Sequence, residues 1–461
     1  MKSVSWLVPA FVLSMVTLHA EPAPAAPPAS VPGFTYVRTL GGIQEYSLER
    51  NGLLVLLLPD HSAPVLTFMV TYRVGSRNAV TGTTGATHLL EHLMFKGTPT
   101  HNRELGTSLD QFLESVGAIS NATTWLDRTN YFANLGSEHL EKVIELEADR
   151  MRNLRLREED RKPEMTVVRN EFEISENNPL QVLDREITAA AYIAHPYHHP
   201  TIGWRSDIEN VPIEKLREFY NTFYWPDNAT VTVVGDFAPA NALALIDKYY
   251  GPYPRAPKPI PVVYTVEPAQ TGPRRVVTRL AGQLGIVGLG YKTPSGRDPD
   301  TAALAVLSAI LTSGKGSRFY KALTDKNLAV NVQGNAGTFH DPSLLNLYAS
   351  LAPGATHEQV EKIMISEIES LKKNGVTDNE VSSAVNQLLA ASAFARDGSF
   401  AIASAINEFI ATGDWTLFVT IDDALRKVSP EDIMRVANRY LQESQSTTGW
   451  FVPIVTGAAH E

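Results

Sequence analysis

The sequence predicts an α+β protein made of two domains that share one plan. The chain has 461 residues, and 44% of them are apolar, which is enough for two hydrophobic cores. A proline-rich stretch at 251–261 divides the chain near its middle. On either side of it, an apolar strand leads through a turn to a helix, with the strands at 65–72 and 284–291. This weak internal repeat indicates two similar domains.

The first element is a predicted export signal. Residues 1–20 combine a lysine-containing start, an apolar run at 4–18 and a plausible cleavage site after Ala20. The run is short for a membrane span, and an uncleaved membrane anchor is the alternative. Residues 21–33 form a Pro/Ala-rich spacer without core-forming residues.

The composition indicates a cellular compartment for this protein and argues against nucleic acid as a partner. The chain has no cysteine, and export without disulfides suits a bacterial periplasm. Its formal net charge is −10, which argues against binding to nucleic acid. We therefore predict a periplasmic protein that does not bind nucleic acid.

The mature chain divides at the proline-rich stretch. We predict a first domain over 34–250, a linker over 251–270 and a second domain over 271–461. Only the first domain carries metal-binding residue types at the repeated helix. The corresponding part of the second domain, at 305–310, has small and apolar residues instead.

The chemistry is concentrated in residues 88–92, which read His-Leu-Leu-Glu-His. His88 and His92 are one helical turn apart, so both imidazoles can reach one metal ion. Glu91 lies on a neighbouring face, where it can act as a general base toward water. This order is the inverted form of a zinc-hydrolase motif. The alternative is an amphipathic helix with two incidental histidines.

A zinc hydrolase needs a third protein ligand, and a downstream helix offers one. Glu164 and Glu171 are two helical turns apart and share a face. We predict Glu171 as the third ligand and Glu164 as a hydrogen-bond partner of the ligating groups. The alternative is a solvated acidic helix surface.

These motifs resemble those of the pitrilysin/insulysin family of zinc peptidases, in the short two-domain form related to the mitochondrial processing peptidase. The resemblance rests first on His88-Leu-Leu-Glu-His92, Phe95-Lys-Gly-Thr98 and Glu164-x-x-Val-Val-x-x-Glu171. Further matching segments follow in order: 117–124 with Asp127 and Tyr131, 147–151, 195–203, 224–229 and 233–236.

The resemblance implies a fold, a cofactor and a substrate. The fold would be an α/β roll, an antiparallel sheet with helices on one side, repeated twice to form half of a clamshell. One Zn²⁺ would bind His88, His92 and Glu171. The peptide substrate would add as a strand beside Asn121 and Ala122, an edge strand in the family.

The sequence departs from the family pattern in its second half. Active members carry an Arg and a Tyr seven residues apart, which stabilise the oxyanion. Leu323 and Val330 stand at those positions, and neither side chain can donate a hydrogen bond. Arg318 and Tyr320 lie nearby at the wrong spacing.

We therefore predict an endopeptidase subunit that pairs with a sibling, meaning a second subunit of the same family that carries the Arg/Tyr pair. One alternative is a weakly active homodimer. The alternative from another class is a non-catalytic assembly protein, like the core subunits of respiratory complexes that share this fold.

Overall fold

The computed structural model describes residues 31–454. The predicted signal peptide and nearly all of the predicted spacer lie outside the described residues. Two sheets organise the described part, and the predicted two-part α+β architecture is confirmed. Among residues 31–454, none of the helices combines the length and the hydropathy that crossing a bilayer requires.

The first half holds one sheet with strand order β1-β2-β3-β7-β4-β6-β5. The strands are β1 (Phe34–Leu40), β2 (Ile43–Leu48), β3 (Leu54–Pro59), β4 (Val65–Tyr72), β5 (Ile119–Thr124), β6 (Thr129–Gly136) and β7 (Ala229–Gly235). The helices are α1 (Ala86–Leu93), α2 (Leu109–Ser115), α3 (Leu140–Asn153), α4 (Glu158–Glu176), α5 (Pro179–Ala191), α6 (Arg205–Asn210), α7 (Ile213–Phe223) and α8 (Pro239–Tyr250).

The second half holds a smaller sheet with strand order β10-β11-β9-β12-β8. The strands are β8 (Arg274–Ala281), β9 (Ile286–Thr293), β10 (Ala329–Ala336), β11 (Ser343–Leu351) and β12 (Ser446–Ile454). The helices are α9 (Thr301–Thr312), α10 (His357–Asn374), α11 (Asp378–Phe394), α12 (Ser399–Thr412), α13 (Leu417–Arg426) and α14 (Pro430–Tyr440).

Each sheet differs from the predicted all-antiparallel arrangement in one pairing. β7 runs parallel to β3, and β12 runs parallel to β8, while the other pairs are antiparallel. A parallel pair needs a long crossover between its strands. Here the intervening strands and helices of each half provide that crossover.

Each half also contributes one helix to the sheet of the other half. Contrary to what the resemblance implied, the helices of each sheet therefore do not all lie on one side of it. α5, from the first half, packs on β8, β9 and β12 of the second sheet. α12, from the second half, packs on β4 and β7 of the first sheet. Each sheet is therefore covered on one face by a helix that the other half supplies.

Glycines in the second sheet make room for α5. A Cβ at Gly288 would lie 2.6 Å from Cδ1 of Ile187, and one at Gly449 would lie 2.6 Å from Cγ1 of the same side chain. Ile187 is fully buried against this sheet. Glycine at both positions thus allows the exchanged helix to approach the strands closely.

Candidate active site

The histidines of the inverted motif lie on the face of α1 that points away from the core, because the opposite face packs into the core. Leu89, Leu90 and Leu93 are buried in the hydrophobic core of the first half. Gly85 precedes the helix as its N-cap with a φ of 81°, and a Cβ there would lie 2.3 Å from the carbonyl oxygen of Ile202. This close approach fixes the start of α1.

His88, His92 and Glu171 converge where α4 packs against α1. Oε2 of Glu171 lies 3.6 Å from Nε2 of His88 and 3.7 Å from Nε2 of His92. The three potential ligand atoms all lie within 4.8 Å of one another. Among residues 31–454, no other group of His, Cys, Asp and Glu residues meets this criterion. The structure thus brings the three predicted ligands together, and their role as ligands stays a prediction.

Glu164 sets the orientation of His92. Its Oε2 lies 3.1 Å from Nδ1 of His92, so Nδ1–H donates and Nε2 lies on the side of Glu171. The hydrogen bond from His92, and next to it that from Lys96, hold the pKa of Glu164 below its usual value. This is the contact that the sequence predicted for Glu164.

The donor set fits a zinc ion. Burial lowers the pKa of His88 to about 4, so its imidazole is neutral and has a lone pair to donate at neutral pH. Nδ1 of His88 is buried and has no hydrogen-bond partner in the described chain. Two imidazoles and one carboxylate, partly open to solvent, are the ligand types of catalytic zinc sites.

Glu91 lies beside the cluster and is buried. Oγ1 of Thr124, the last residue of β5, donates a hydrogen bond to Oε2 of Glu91 at 2.5 Å. Burial raises the pKa of Glu91, against the opposing effect of this hydrogen bond. This contact of Thr124 could not be predicted from the sequence, because only the fold brings the end of β5 to α1.

β5 is an edge strand, as the resemblance implied. It pairs with β6 alone among the described strands, with Asn121 opposite Phe132 and Ala122 opposite Tyr131. Its other edge is available for backbone pairing. Binding of substrate at Asn121 and Ala122 stays a prediction.

A cavity of about 630 Å³ adjoins the cluster on the side of the second half. His88 and Glu171 form one end of it, and Phe339 and Leu344 from the second half form part of its wall. Its size falls within the usual range of ligand-binding cavities. The site therefore faces a space that both halves enclose.

In the second half, Leu323 and Val330 stand where the family resemblance places the oxyanion donors. Leu323 is fully buried in its core, and Val330 is half-exposed on β10. The guanidinium of Arg318 is engaged by the carboxylate of Glu380, with Nε donating at 2.8 Å. The assignment of Leu323 and Val330 to the family's donor positions stays a prediction.

Comparison with known families gives two matches. The insulinase family (Peptidase family M16) matches residues 54–204, and the peptidase M16 inactive domain matches residues 210–388. The junction of the two matches lies before β7, which nevertheless completes the first sheet.

Individual relatives agree with the family matches. The zinc protease PqqE of Helicobacter pylori is 33% identical over 409 residues, covering 88% of this chain and 91% of its own. A crystal structure of a protease from Helicobacter pylori superposes with a TM-score of 0.85 at 32% identity, covering 90% of this chain and 100% of that one. The periplasmic protease PqqL of Escherichia coli matches in fold at 16% identity and a TM-score of 0.74. That match covers 91% of this chain and 48% of PqqL. The predicted family resemblance is confirmed.

Proposed function

This chain belongs to the M16 family of peptidases, and from that premise we propose that it is a zinc-dependent endopeptidase acting on short or unfolded peptides. The observation that carries the proposal is the convergence of His88, His92 and Glu171 within 4.8 Å, with Glu91 beside them. A non-catalytic assembly role would require neither the three ligands nor the base.

The chain's own residues divide the chemistry among themselves. His88, His92 and Glu171 would hold Zn²⁺, which when bound acts as a Lewis acid toward the peptide carbonyl and water. Oε2 of Glu91 is occupied by the Thr124 hydroxyl, which leaves Oε1 to take a proton from the attacking water. Glu91 then returns that proton to the leaving amine nitrogen.

The substrate would lie along β5. Backbone pairing beside Asn121 and Ala122 gives affinity with little dependence on sequence. The cavity next to His88 would receive a neighbouring part of the peptide. This arrangement favours extended chains over folded proteins.

We further propose that the chain is one half of a heteromeric peptidase. Leu323 and Val330 provide no side-chain donor for the oxyanion at the two positions where the family resemblance places one. The match to about half of a longer protease fold supports a closed chamber made of two such units. A homodimer would enclose the site as well, but would repeat the same two apolar residues.

Zinc content provides the direct test of the metal site. Protein purified without chelator is expected to hold about one zinc per chain, and His88→Ala/His92→Ala is expected to hold none. His61→Ala serves as the control, because His61 is an exposed histidine paired with Asp236 far along the chain. Elemental analysis gives the result, and stoichiometric zinc in the double variant would rule out the site.

Export is tested at the N-terminus. If the chain is exported to the periplasm with its signal removed, protein isolated from the native host should begin near Glu21. N-terminal sequencing of the soluble periplasmic fraction measures this. An intact Met1 in the membrane fraction would support the membrane-anchored alternative instead.

A further inference from the structure

A polar cluster with a buried centre joins the two halves behind the turn that follows β5. We call it the interdomain cluster, and its members are Arg77, Asp127, Tyr197, His340 and Asp341. The first three belong to the first half, and the last two lie in the loop between β10 and β11. None of these residues has a role in the chemistry described above.

Asp127 is the centre of this cluster and is buried. The hydroxyl of Tyr197 donates to its Oδ1 at 2.7 Å, and the backbone N–H of His340 donates to its Oδ2 at 3.0 Å. Nε of Arg77 lies 3.3 Å from Oδ1 of Asp127, and its Nη1 lies 2.5 Å from Oδ2 of Asp341. The guanidinium thus bridges two carboxylates from different halves.

The interdomain cluster fixes the turn that follows Thr124, the residue that donates a hydrogen bond to Glu91. Residues 125–128 form this turn, closed by a hydrogen bond from N of Trp125 to O of Arg128 at 2.9 Å. Thr124 immediately precedes it and donates to Glu91. Within the turn, Arg128 makes a second tie to the other half, because its Nε donates to Glu408 of α12 at 3.1 Å.

We infer that the second half positions the general base from a distance. Asp127 acts as a positioning residue: it ties the 125–128 turn to the loop between β10 and β11, so that Thr124 meets Glu91 in one orientation. Among the described residues, the second half supplies no ligand and no base, yet it supplies His340, Asp341 and Glu408 to hold this turn. The inference rests on the proposed function, which assigns Glu91 as the base.

The kinetic test separates positioning from binding. Asp127→Asn keeps the shape of the side chain and removes its charge, so the ion pair with Arg77 is lost. We expect kcat for a peptide to fall by about 10-fold with KM within about two-fold, because small displacements of a catalytic group cost rate steeply. Asp341→Asn, a change on the side of the second half, should act in the same direction.

A double-variant cycle tests whether the effect runs through Thr124. Thr124→Val removes the hydroxyl, and in that background Asp127→Asn should lower kcat by no more than about two-fold. Thr124→Ser keeps the hydroxyl and should preserve the full effect of Asp127→Asn. Multiplicative losses in the Thr124→Val background would show that Asp127 acts independently of Thr124 and would overturn the inference.

Asp300→Asn is the matched control. Asp300 is a buried aspartate of the second half that also pairs with arginines and a tyrosine, namely Arg435, Arg439 and Tyr440. It has no contact with the first half in these pairs, so kcat and KM should remain unchanged. An equal loss of kcat in this variant would mean that general destabilisation explains the result.

A crystal structure distinguishes this inference from the proposed function. In zinc-loaded Asp127→Asn, or Asp341→Asn if the first does not fold, the Thr124 Oγ1–Glu91 Oε2 separation should exceed the 2.5 Å found here and leave hydrogen-bond range. An unchanged separation overturns the inference even if the enzyme is active. Absence of peptidase activity in the wild-type chain, with or without a partner, would instead contradict the proposed function.

Discussion

Replacing Glu91 by glutamine is expected to abolish nearly all peptide hydrolysis while leaving zinc bound. Glutamine preserves the size of the side chain and its contact with Thr124, but it cannot accept a proton from water. Loss of a general base lowers rates by roughly 10²–10⁴-fold. The measurements are kcat/KM on an unstructured peptide, with and without chelator, and the zinc content of the same preparation.

The pattern across variants identifies the role of each carboxylate. Glu171→Gln should lower zinc content as well as activity, because Glu171 lies at the cluster and Glu91 does not. Glu141→Gln, on the exposed surface of α3, serves as the control and should change neither. Near wild-type hydrolysis by Glu91→Gln would show that the proposed mechanism is wrong.

Mixing with a sibling subunit should raise activity by at least about 10²-fold. In the chain alone, the oxyanion would lack the hydrogen bonds of the family's Arg/Tyr pair, because Leu323 and Val330 provide no donor. One oxyanion donor contributes roughly 10²–10³-fold in rate. A sibling that carries the Arg/Tyr pair would supply that donor without any metal ligands of its own. The measurement is peptide hydrolysis by each subunit separately and by the mixture.

A sibling with its Arg and Tyr replaced by Leu and Val provides the control. It should still assemble with this chain but should give no gain in kcat. Full activity of this chain alone, unaffected by any sibling, would contradict the proposal and would favour the homodimer. A gain from the altered sibling would mean that enclosure, and not the donors, limits the reaction.

The metal site is largely readable from the sequence, because its geometry is local. His88 and His92 are one helical turn apart, and Glu164 and Glu171 are two turns apart, so helical periodicity alone puts each pair on one face. The packing of α4 on α1 then brings Glu171 next to the two histidines. The repeat of strand, turn and helix likewise allowed the two halves to be predicted.

Other features depend on contacts between distant segments that no periodicity encodes. The hydrogen bond from Thr124 to Glu91 requires the end of β5 to reach α1. The contact of Asp127 with His340 joins residues from different halves. The sequences of α5 and α12 do not indicate which sheet each helix covers. The role of glycines such as Gly288 becomes visible only once Ile187 is seen against them.

The exchange of α5 and α12 has a consequence for biosynthesis. The first sheet is complete in sequence at Gly235, but its face toward α12 includes the buried residues Met69 and Val234. Their cover, Ala403 of α12, leaves the ribosome only after more than half of the second half has been translated. At about 5–20 residues per second, synthesis from Gly235 to Ala403 lasts roughly 8–34 s. If the first sheet forms during synthesis, this apolar face stays uncovered for that interval, and a chaperone that shields it would act before α12 has been made.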